Sequence, residues 1–408
     1  MNVAEEMNRQ DGGSKLHSGW RWVRLGEVCE IIAGQSPPSE TYRKTPEGLP
    51  FFQGKADFGQ RHPVARIWCL APVKTALPGD ILISVRAPVG PTNVADVKCC
   101  IGRGLAAIRP RDHADRDFVL AAFRLYEHQL AELGRGSTFG AIKREDLESL
   151  EIPLPPLSEQ KRITAILNEQ MAAVERARAA AEVQLEAAKA LPATYLRAVF
   201  NSPEAQGWPR KALGEVGQIV SGVTLGRKIN GAKTRSVPYL RVANVKDERL
   251  DLSDVYQIEA TEAEIQKLRL QSGDLLLTEG GDPDKLGRGT FWEQQIPECI
   301  HQNHIFRVRF DLNDFSPQFV SAQIASPYGK SYFLAHAKQT TGIATINQKV
   351  LAGFPLMVPP MSEQKRITAL LSEQMAAAER TRKALEDKLD TINKLPAALL
   401  RRAFSGEL

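Results

Sequence analysis

No long apolar run interrupts the 408-residue chain, and that absence excludes a membrane-spanning helix, which needs about 20 consecutive apolar residues. The opening Met1–Gly19 stretch is polar, lacks the apolar core of a secretory leader, and reads as a loose tail. Cysteine is scarce: Cys29, Cys69, Cys99, Cys100 and Cys299 form no Cys-x-x-Cys pair, so they suggest no disulfide framework and fit a reducing, cytoplasmic setting. There is no Gly-x-x-x-x-Gly-Lys-Ser/Thr phosphate loop and no dinucleotide fingerprint after a strand. The Asn-Pro-Pro-aromatic run of amino-methyltransferases is missing too. Glu386-Asp387-Lys388 mimics the end of a nuclease motif but lies in a helical repeat, and such short motifs are weak. Cys299-x-His301-x-x-His304 lacks the fourth ligand a closed zinc site needs, so it reads as a buried strand, with no metal expected. Together these absences favour a binder over an enzyme.

What is present is a duplication. Ser158–Phe200 aligns without a gap on Ser362–Phe404, an offset of 204 at which 26 of 43 positions are identical. Weaker echoes follow in order. Leu25-Gly26-Glu27-Val28 answers Leu213-Gly214-Glu215-Val216, and Gly79-Asp80-Ile81-Leu82 answers Gly273-Asp274-Leu275-Leu276. Cys100-Ile101 answers Cys299-Ile300. Each repeated segment predicts a helix, with Ser158 or Ser362 as N-cap and Glu in the first turn. Apolar residues recur at three- and four-residue steps (Ile163, Leu167, Met171, Val174; Ile367, Leu371, Met375, Ala378), the stripe of a coiled coil. Pro192 and Pro396 are expected to end or kink these rods, leaving about 33 residues and about 50 Å.

The intervening segments read as α+β, with short strands near Asp80–Val85 and Asp274–Thr278 and helices near Asp117–Glu132 and Pro317–Ala337. The second such domain starts where one rod ends and finishes where the other begins. Because the termini of compact domains usually lie close together, the rods should be antiparallel. The predicted fold class is therefore α+β: two α/β domains separated by two long antiparallel coiled-coil helices, with a pseudo-twofold internal repeat. Its expected divisions are 1–19 as tail, 20–152 as first domain, 153–207 as first helical spacer, 208–357 as second domain and 358–408 as second spacer.

The net charge of +5 permits a polyanionic partner without demanding one. The local pattern says more. Val216–Lys246 carries six bases and no acid, and Phe315–Ser362 carries no acid. Lys and Arg pair phosphates, small polar residues let backbone amides approach them, and Arg, Asn and Gln read base edges. The candidate DNA-binding residues are Arg61, Arg103, Arg135, Ser137, Thr138 and Lys143 in the first domain. In the second they are Arg227, Lys228, Arg241, Lys338, Thr340, Thr341, Asn347 and Lys349. Lys161-Arg162 and Lys365-Arg366 recur in both copies on an outward helix face, as a duplicated partner-binding surface would.

The chain resembles the specificity subunits of type I restriction–modification systems over residues 20–408. The resemblance rests on Pro-Leu-Pro-Pro-Leu-Ser-Glu-Gln at 153–160 and its second copy, on the Gly79–Gly90 run, on Cys100-Ile101-Gly102-Arg103-Gly104-Leu105, and on the ending Ala403-Phe404-Ser405-Gly406-Glu407-Leu408. It implies two target-recognition domains, each reading half of a bipartite asymmetric site in double-stranded DNA, with the helices setting the gap. It also implies docking of two methyltransferase subunits that use S-adenosylmethionine, and a separate restriction/translocase subunit that uses ATP and Mg. The chain itself then holds no cofactor and no catalytic residue. Rival readings are a coiled-coil scaffold that binds proteins, a self-contained DNA enzyme, and a specificity subunit without partners acting as a decoy.

Overall fold

The computed structural model describes residues 17–135, 141–229, 231–247, 249–281, 286–340 and 343–408. They form two compact units: residues 17–182 with 387–408, and residues 183–386.

In unit 1, strand Arg21–Arg24 pairs antiparallel with Glu151–Leu154, so the domain's two ends are stitched together. The Leu-Gly-Glu-Val segment forms a single helical turn, Leu25–Val28, with Leu25 and Val28 buried. A four-stranded antiparallel sheet follows in the order Cys29–Ala33, Leu105–Pro110, Ile81–Ser84, Thr92–Val94. A second sheet contains the parallel pair Leu49–Phe52 and Cys99–Ile101. Two helices, Arg116–Leu125 and Glu127–Arg135, stand where the sequence suggested one. Apolar residues of the first sheet and of Arg116–Leu125 share one core with Ile163, Leu167, Leu400 and Ala403 of the long helices.

Unit 2 repeats this plan with different side chains. Arg210–Ala212 pairs with Pro355–Met357, and Leu213–Val216 forms the same helical turn. Its four-stranded sheet runs Gly217–Ser221, Ile305–Phe310, Leu275–Thr278, Gly289–Phe291. The parallel pair recurs as Tyr239↔Ile300 and Leu240↔His301. In unit 1 the same pairing is Phe51↔Cys100 and Phe52↔Ile101. The structural counterpart of Cys299 is thus Cys99, one residue away from the letter match of Cys100 with Cys299, because strand register follows burial and not residue identity. Ser326 separates helices Pro317–Ala325 and Pro327–His336, and Pro327 stands at the start of the second, where it is tolerated.

The Gly-Asp motif common to both halves has a structural task. Gly79 and Gly273 take φ of 93° and 90°, which favours glycine, in the turns before the central strands. The aspartates that follow are buried. Asp80 accepts Nε and Nη2 of Arg109 at 2.9 and 2.8 Å, and Asp274 accepts the same atoms of Arg309, both at 2.7 Å. Each also accepts the backbone N–H three residues earlier, at Leu77 or Gln271, at 2.7 Å.

The repeated segments are helices of 44 residues each, Leu157–Phe200 and Met361–Phe404, so each is about 66 Å long at 1.5 Å per residue. They run antiparallel. In unit 1 the start of the first helix (Ile163, Leu167) meets the end of the second (Leu400, Ala403), and in unit 2 Leu196 and Phe200 meet Ile367 and Leu371. Val174, Ala181 and Ile392 continue the seam in unit 1. Of the expected end or kink, the end is excluded: Pro192 and Pro396 lie inside the helices and end neither. A helical proline costs about 3 kcal/mol. Burial of Leu196 and Phe200 beyond Pro192, and of Leu400 and Ala403 beyond Pro396, offsets this at about 1.5–3 kcal/mol per large apolar side chain. Ser158 and Ser362 are not the N-caps either. The helices open one residue earlier, on the carbonyls of Pro156 and Pro360, which accept the N–H groups of Glu159 and Gln160, and of Glu363 and Gln364.

The Ser-Glu-Gln motif instead locks each domain to its helix. Gln160 is buried; its Oε1 accepts the Asp115 N–H at 2.6 Å, and its Nε2 donates to the carbonyls of His113 and Pro155 at 3.0 and 2.8 Å. Gln364 does the same with the Ser316 N–H (2.9 Å) and the carbonyls of Asp314 and Pro359 (both 3.0 Å). Asp115 and Ser316 are the N-caps of the first domain helices, so one glutamine fixes a helix start against the rod in each unit. Replacing a buried polar side chain leaves its partners unsatisfied at about 1–3 kcal/mol. Gln364→Ala should lower the unfolding free energy of unit 2 by that amount in a denaturant titration; a loss below about 0.5 kcal/mol would show that the clamp contributes nothing.

Candidate nucleic-acid interface

In unit 1 the loops at the ends of the sheets enclose a cavity of about 190 Å³. Lys55, Arg86 and Arg103 face it, with Ser36, Gln53 and Gly104. All three cations are exposed, and none has an ion pair among the described residues. The nearby acid Asp57 is already engaged by the Gln53 N–H at 2.7 Å and by Arg66 at 3.6 Å. Backbone bonds build the rim. The Val85 N–H donates to Gly104, the Gly102 N–H to Phe52, and the Arg103 N–H to Ser36 Oγ at 3.3 Å. Gly104 is required here, because a Cβ would stand 2.2 Å from the Gln53 carbonyl oxygen. Sequence reasoning found Arg103 and missed Lys55 and Arg86. Arg86 lies within the Gly79–Gly90 run that carries the resemblance, and an isolated lysine such as Lys55 carries no signal until the fold brings it beside Arg103.

The other first-domain candidates lie apart. Arg61 borders a separate groove of about 290 Å³ with Asp117, Arg124 and the long-helix residues Thr164 and Asn168. Burial, then the charge of Arg61, pulls the Arg124 guanidinium below its ordinary range. Lys143 heads a short helix, its N–H bonded to the Asp146 carboxylate at 2.7 Å. Ser137, Thr138 and Thr341, with the side chains of Arg135 and Thr340, lie outside the described residues.

Unit 2 carries the same backbone network, which makes positions comparable. Gly102 and Gln302 donate to Phe52 and Leu240; Leu105 and Ile305 donate to Gly102 and Gln302. Val85 and Glu279 donate to Gly104 and His304, and Ile142 and Ile346 donate back to Val85 and Glu279. Arg86 bridges Ala141 as Gly280 pairs Thr345, and the 3-10 turn Lys55–Asp57 corresponds to Val242–Asn244. Thus Lys55 answers to Val242, Arg86 to Gly280 and Arg103 to Asn303. Val85 answers to Glu279, whose carboxylate contacts His304, the counterpart of Gly104.

The second-domain candidates are also dispersed. Arg227 holds Glu264 through two bonds of 2.7 Å, and this arginine pulls the Glu264 carboxyl down to about 2. Arg241 lies 3.3 Å above the Tyr256 ring and pairs with Asp254 at 2.7 Å. Asn347 caps a helix by accepting the Val350 N–H at 2.9 Å. Lys228, Lys338 and Lys349 are exposed, without an ion pair among the described residues. On the long helices Lys161 and Lys365 are exposed. Arg162 and Arg366 pair with Glu159 and Glu363 of their own helix, and Arg162 also reaches the Leu408 carbonyl.

The thiols offer little nucleophilic character. Burial pushes Cys29, Cys99, Cys100 and Cys299 up to about 12. His301 Nδ1 lies 3.0 Å from the Ile305 carbonyl, while His304 contacts Glu279. Among the described residues no group of three His, Cys, Asp or Glu side chains is arranged to hold a metal ion, and no helix is long and apolar enough to cross a membrane.

Residues 17–183 and 205–389 match the family model described as the type I restriction modification DNA specificity domain. The putative type I restriction enzyme MjaX specificity subunit of Methanocaldococcus jannaschii is 47% identical over 152 residues, 36% of this chain and 36% of that protein. The match therefore spans little more than a third of that relative's length. The type I restriction enzyme StySPI specificity subunit of Salmonella potsdam is 26% identical over 323 residues, 76% of this chain and 69% of that protein. The crystal structure of the HsdS subunit from Thermoanaerobacter tengcongensis is 53% identical over 43% of this chain and 47% of its own, with a TM-score of 0.37.

Proposed function

The chain belongs to the type I restriction–modification DNA specificity family, and from that premise we propose that it is the non-catalytic sequence-reading subunit of such a complex. Residues 20–152 and 208–357 are its two target-recognition domains, each reading half of a bipartite, asymmetric site in double-stranded DNA. The helical segments 153–207 and 358–408 set the gap. They dock two methyltransferase subunits that bring S-adenosylmethionine, with Lys161, Arg162, Lys365 and Arg366 on the docking face. A restriction/translocase subunit using ATP and Mg completes the assembly, which works in the cytoplasm.

The observation that carries this reading is a duplicated scaffold with unduplicated loops. The backbone hydrogen bonds repeat position for position, while the exposed polar side chains on them differ: Lys55 against Val242, Arg86 against Gly280, Arg103 against Asn303. A scaffold kept constant under two different surfaces suits two readers of two different sequences. Arg61, Arg103, Arg135, Ser137, Thr138 and Lys143 are proposed contacts of the first reader. Arg227, Lys228, Arg241, Lys338, Thr340, Thr341, Asn347 and Lys349 are those of the second. Arg227 and Arg241 must first exchange their carboxylate partners for DNA.

Two linked half-sites suit the chemistry. One mismatched base pair costs about 1–3 kcal/mol, so a short half-site discriminates little, and linking two halves multiplies the effect. Adenine methylation mapped across the host genome, with the gene intact and deleted, tests the proposal. One split motif should lose methylation on both strands. Unchanged methylation while a methyltransferase partner is expressed would overturn it.

A further inference from the structure

We infer that the Lys55–Arg86–Arg103 cavity takes a DNA backbone phosphate, and that the second recognition domain lacks this contact, so the electrostatic part of DNA affinity is divided unequally between the halves. The inference rests on the DNA-reading function proposed above.

Three observations converge on the cavity. First, its cations are uncommitted, whereas Arg66, Arg227, Arg235 and Arg241 have carboxylate partners. Uncommitted cations need no internal pair to break before they meet an anion. Second, their neighbours suit a tetrahedral oxyanion. Ser36 and Gln53 offer neutral donors, and Gly54 leaves open space at its Cα, with nothing within 4 Å of where a Cβ would stand. Phosphate contacts of this type combine cations with small polar groups and closely approached backbone. Third, the equivalent positions in unit 2 have lost all three charges, to Val242, Gly280 and Asn303, and the cation beside them, Arg241, is already committed to Asp254 and the Tyr256 ring. Unit 2 must hold its DNA through other groups, with the exposed Lys228, Lys338 and Lys349 among those without an ion pair in the described residues.

A phosphate contact fixes the register of a protein on the duplex and carries no sequence information. The cavity therefore governs affinity and its salt dependence and leaves the recognised bases alone. Each phosphate neutralised adds about 0.9 to the slope of log affinity against log salt concentration.

The test uses the full chain assembled with its methyltransferase partners and a duplex carrying the methylated motif, with affinity measured over a salt series. The triple variant Lys55→Gln/Arg86→Gln/Arg103→Gln should lose about 0.9 of slope, the equivalent of one phosphate. Its methylated motif should stay the same. The charge-retaining Lys55→Arg/Arg86→Lys/Arg103→Lys variant should keep the wild-type slope, which separates lost charge from lost packing. If the wild-type complex discriminates its motif but the triple variant keeps the full slope, the cavity holds no phosphate and the inference fails. Equal wild-type affinity for motif and scrambled duplex would instead sink the DNA-reading function itself.

Discussion

Acidification from about pH 7 to about pH 4 should remove about 3 kcal/mol of unit 2's stability through His301 alone, because each tenfold change in proton affinity between folded and unfolded states is worth about 1.4 kcal/mol. His301 is completely buried at the end of the parallel strand pair, with Nδ1 3.0 Å from the Ile305 carbonyl and Nε2 without a partner. Burial, and then the positive charge of Arg307, lowers its pKa from 6.5 to about 4. Arg307 is itself buried and donates to the Lys267 carbonyl at 3.1 Å, while Arg309, the weaker influence, is neutralised by Asp274. The folded state thus keeps the imidazole neutral where the unfolded chain protonates it. Between pH 6.5 and about 4 the unfolded state binds more protons, so stability falls as pH falls, and below about 4 this residue adds no further loss. Many carboxylates also titrate at the acidic end, so the informative quantity is the difference between wild type and His301→Asn. The asparagine amide retains a donor toward Ile305 and cannot be protonated. Denaturant titrations should show the wild type losing more stability than the variant as pH is lowered through 6.5, with the gap widening by about 3 kcal/mol at pH 4. Parallel pH profiles would mean that the folded state protonates His301 as readily as the unfolded chain does.

His301 also shows where sequence reasoning stopped. Cys299, His301 and His304 read as a buried strand with no metal expected, but the letters alone could not say that one histidine is sealed in a core while the other meets Glu279. Long-range structure was more legible. An identical run repeated after 204 residues, with apolar side chains at helical spacing, yielded the two rods, and chain connectivity yielded their opposed directions. The helix ends were misjudged. Pro192 and Pro396 break helices by local propensity, but the residues beyond them are anchored in each unit's core, and tertiary burial outweighs a local cost of about 3 kcal/mol.

The constant motifs were recognised before their tasks were. Gln160 and Gln364 look like solvent-facing helix residues in the sequence; their three hydrogen bonds exist only once the domain helix is packed against them. Asp80 and Asp274 likewise find Arg109 and Arg309 about thirty residues further along the chain. The surface was least legible. Basic loop residues look alike in a string, yet Arg227 and Arg241 are committed to carboxylates while Arg86 and Lys55 face one cavity without an ion pair among the described residues. Charge pairing is a three-dimensional property, and base composition does not report it.

The central claim is that each domain reads its own half of one split DNA site. Exchanging residues 20–152 for the corresponding domain of another specificity subunit tests it most directly, with genome-wide adenine methylation as the readout. The boundary at 152 falls inside strand Glu151–Leu154, but its pairing with Arg21–Arg24 runs through main-chain groups that any incoming residue supplies, and the long helix is left intact. The Gln160 clamp needs only main-chain groups from the incoming domain, the N–H at Asp115 and the carbonyl at His113. The effect should be all or none for the exchanged half, since each wrong base pair costs about 1–3 kcal/mol and several change together. The account predicts a new methylated motif in which one half is replaced, while the other half and the gap stay as they were. A motif altered in both halves, or one that keeps both, would contradict it.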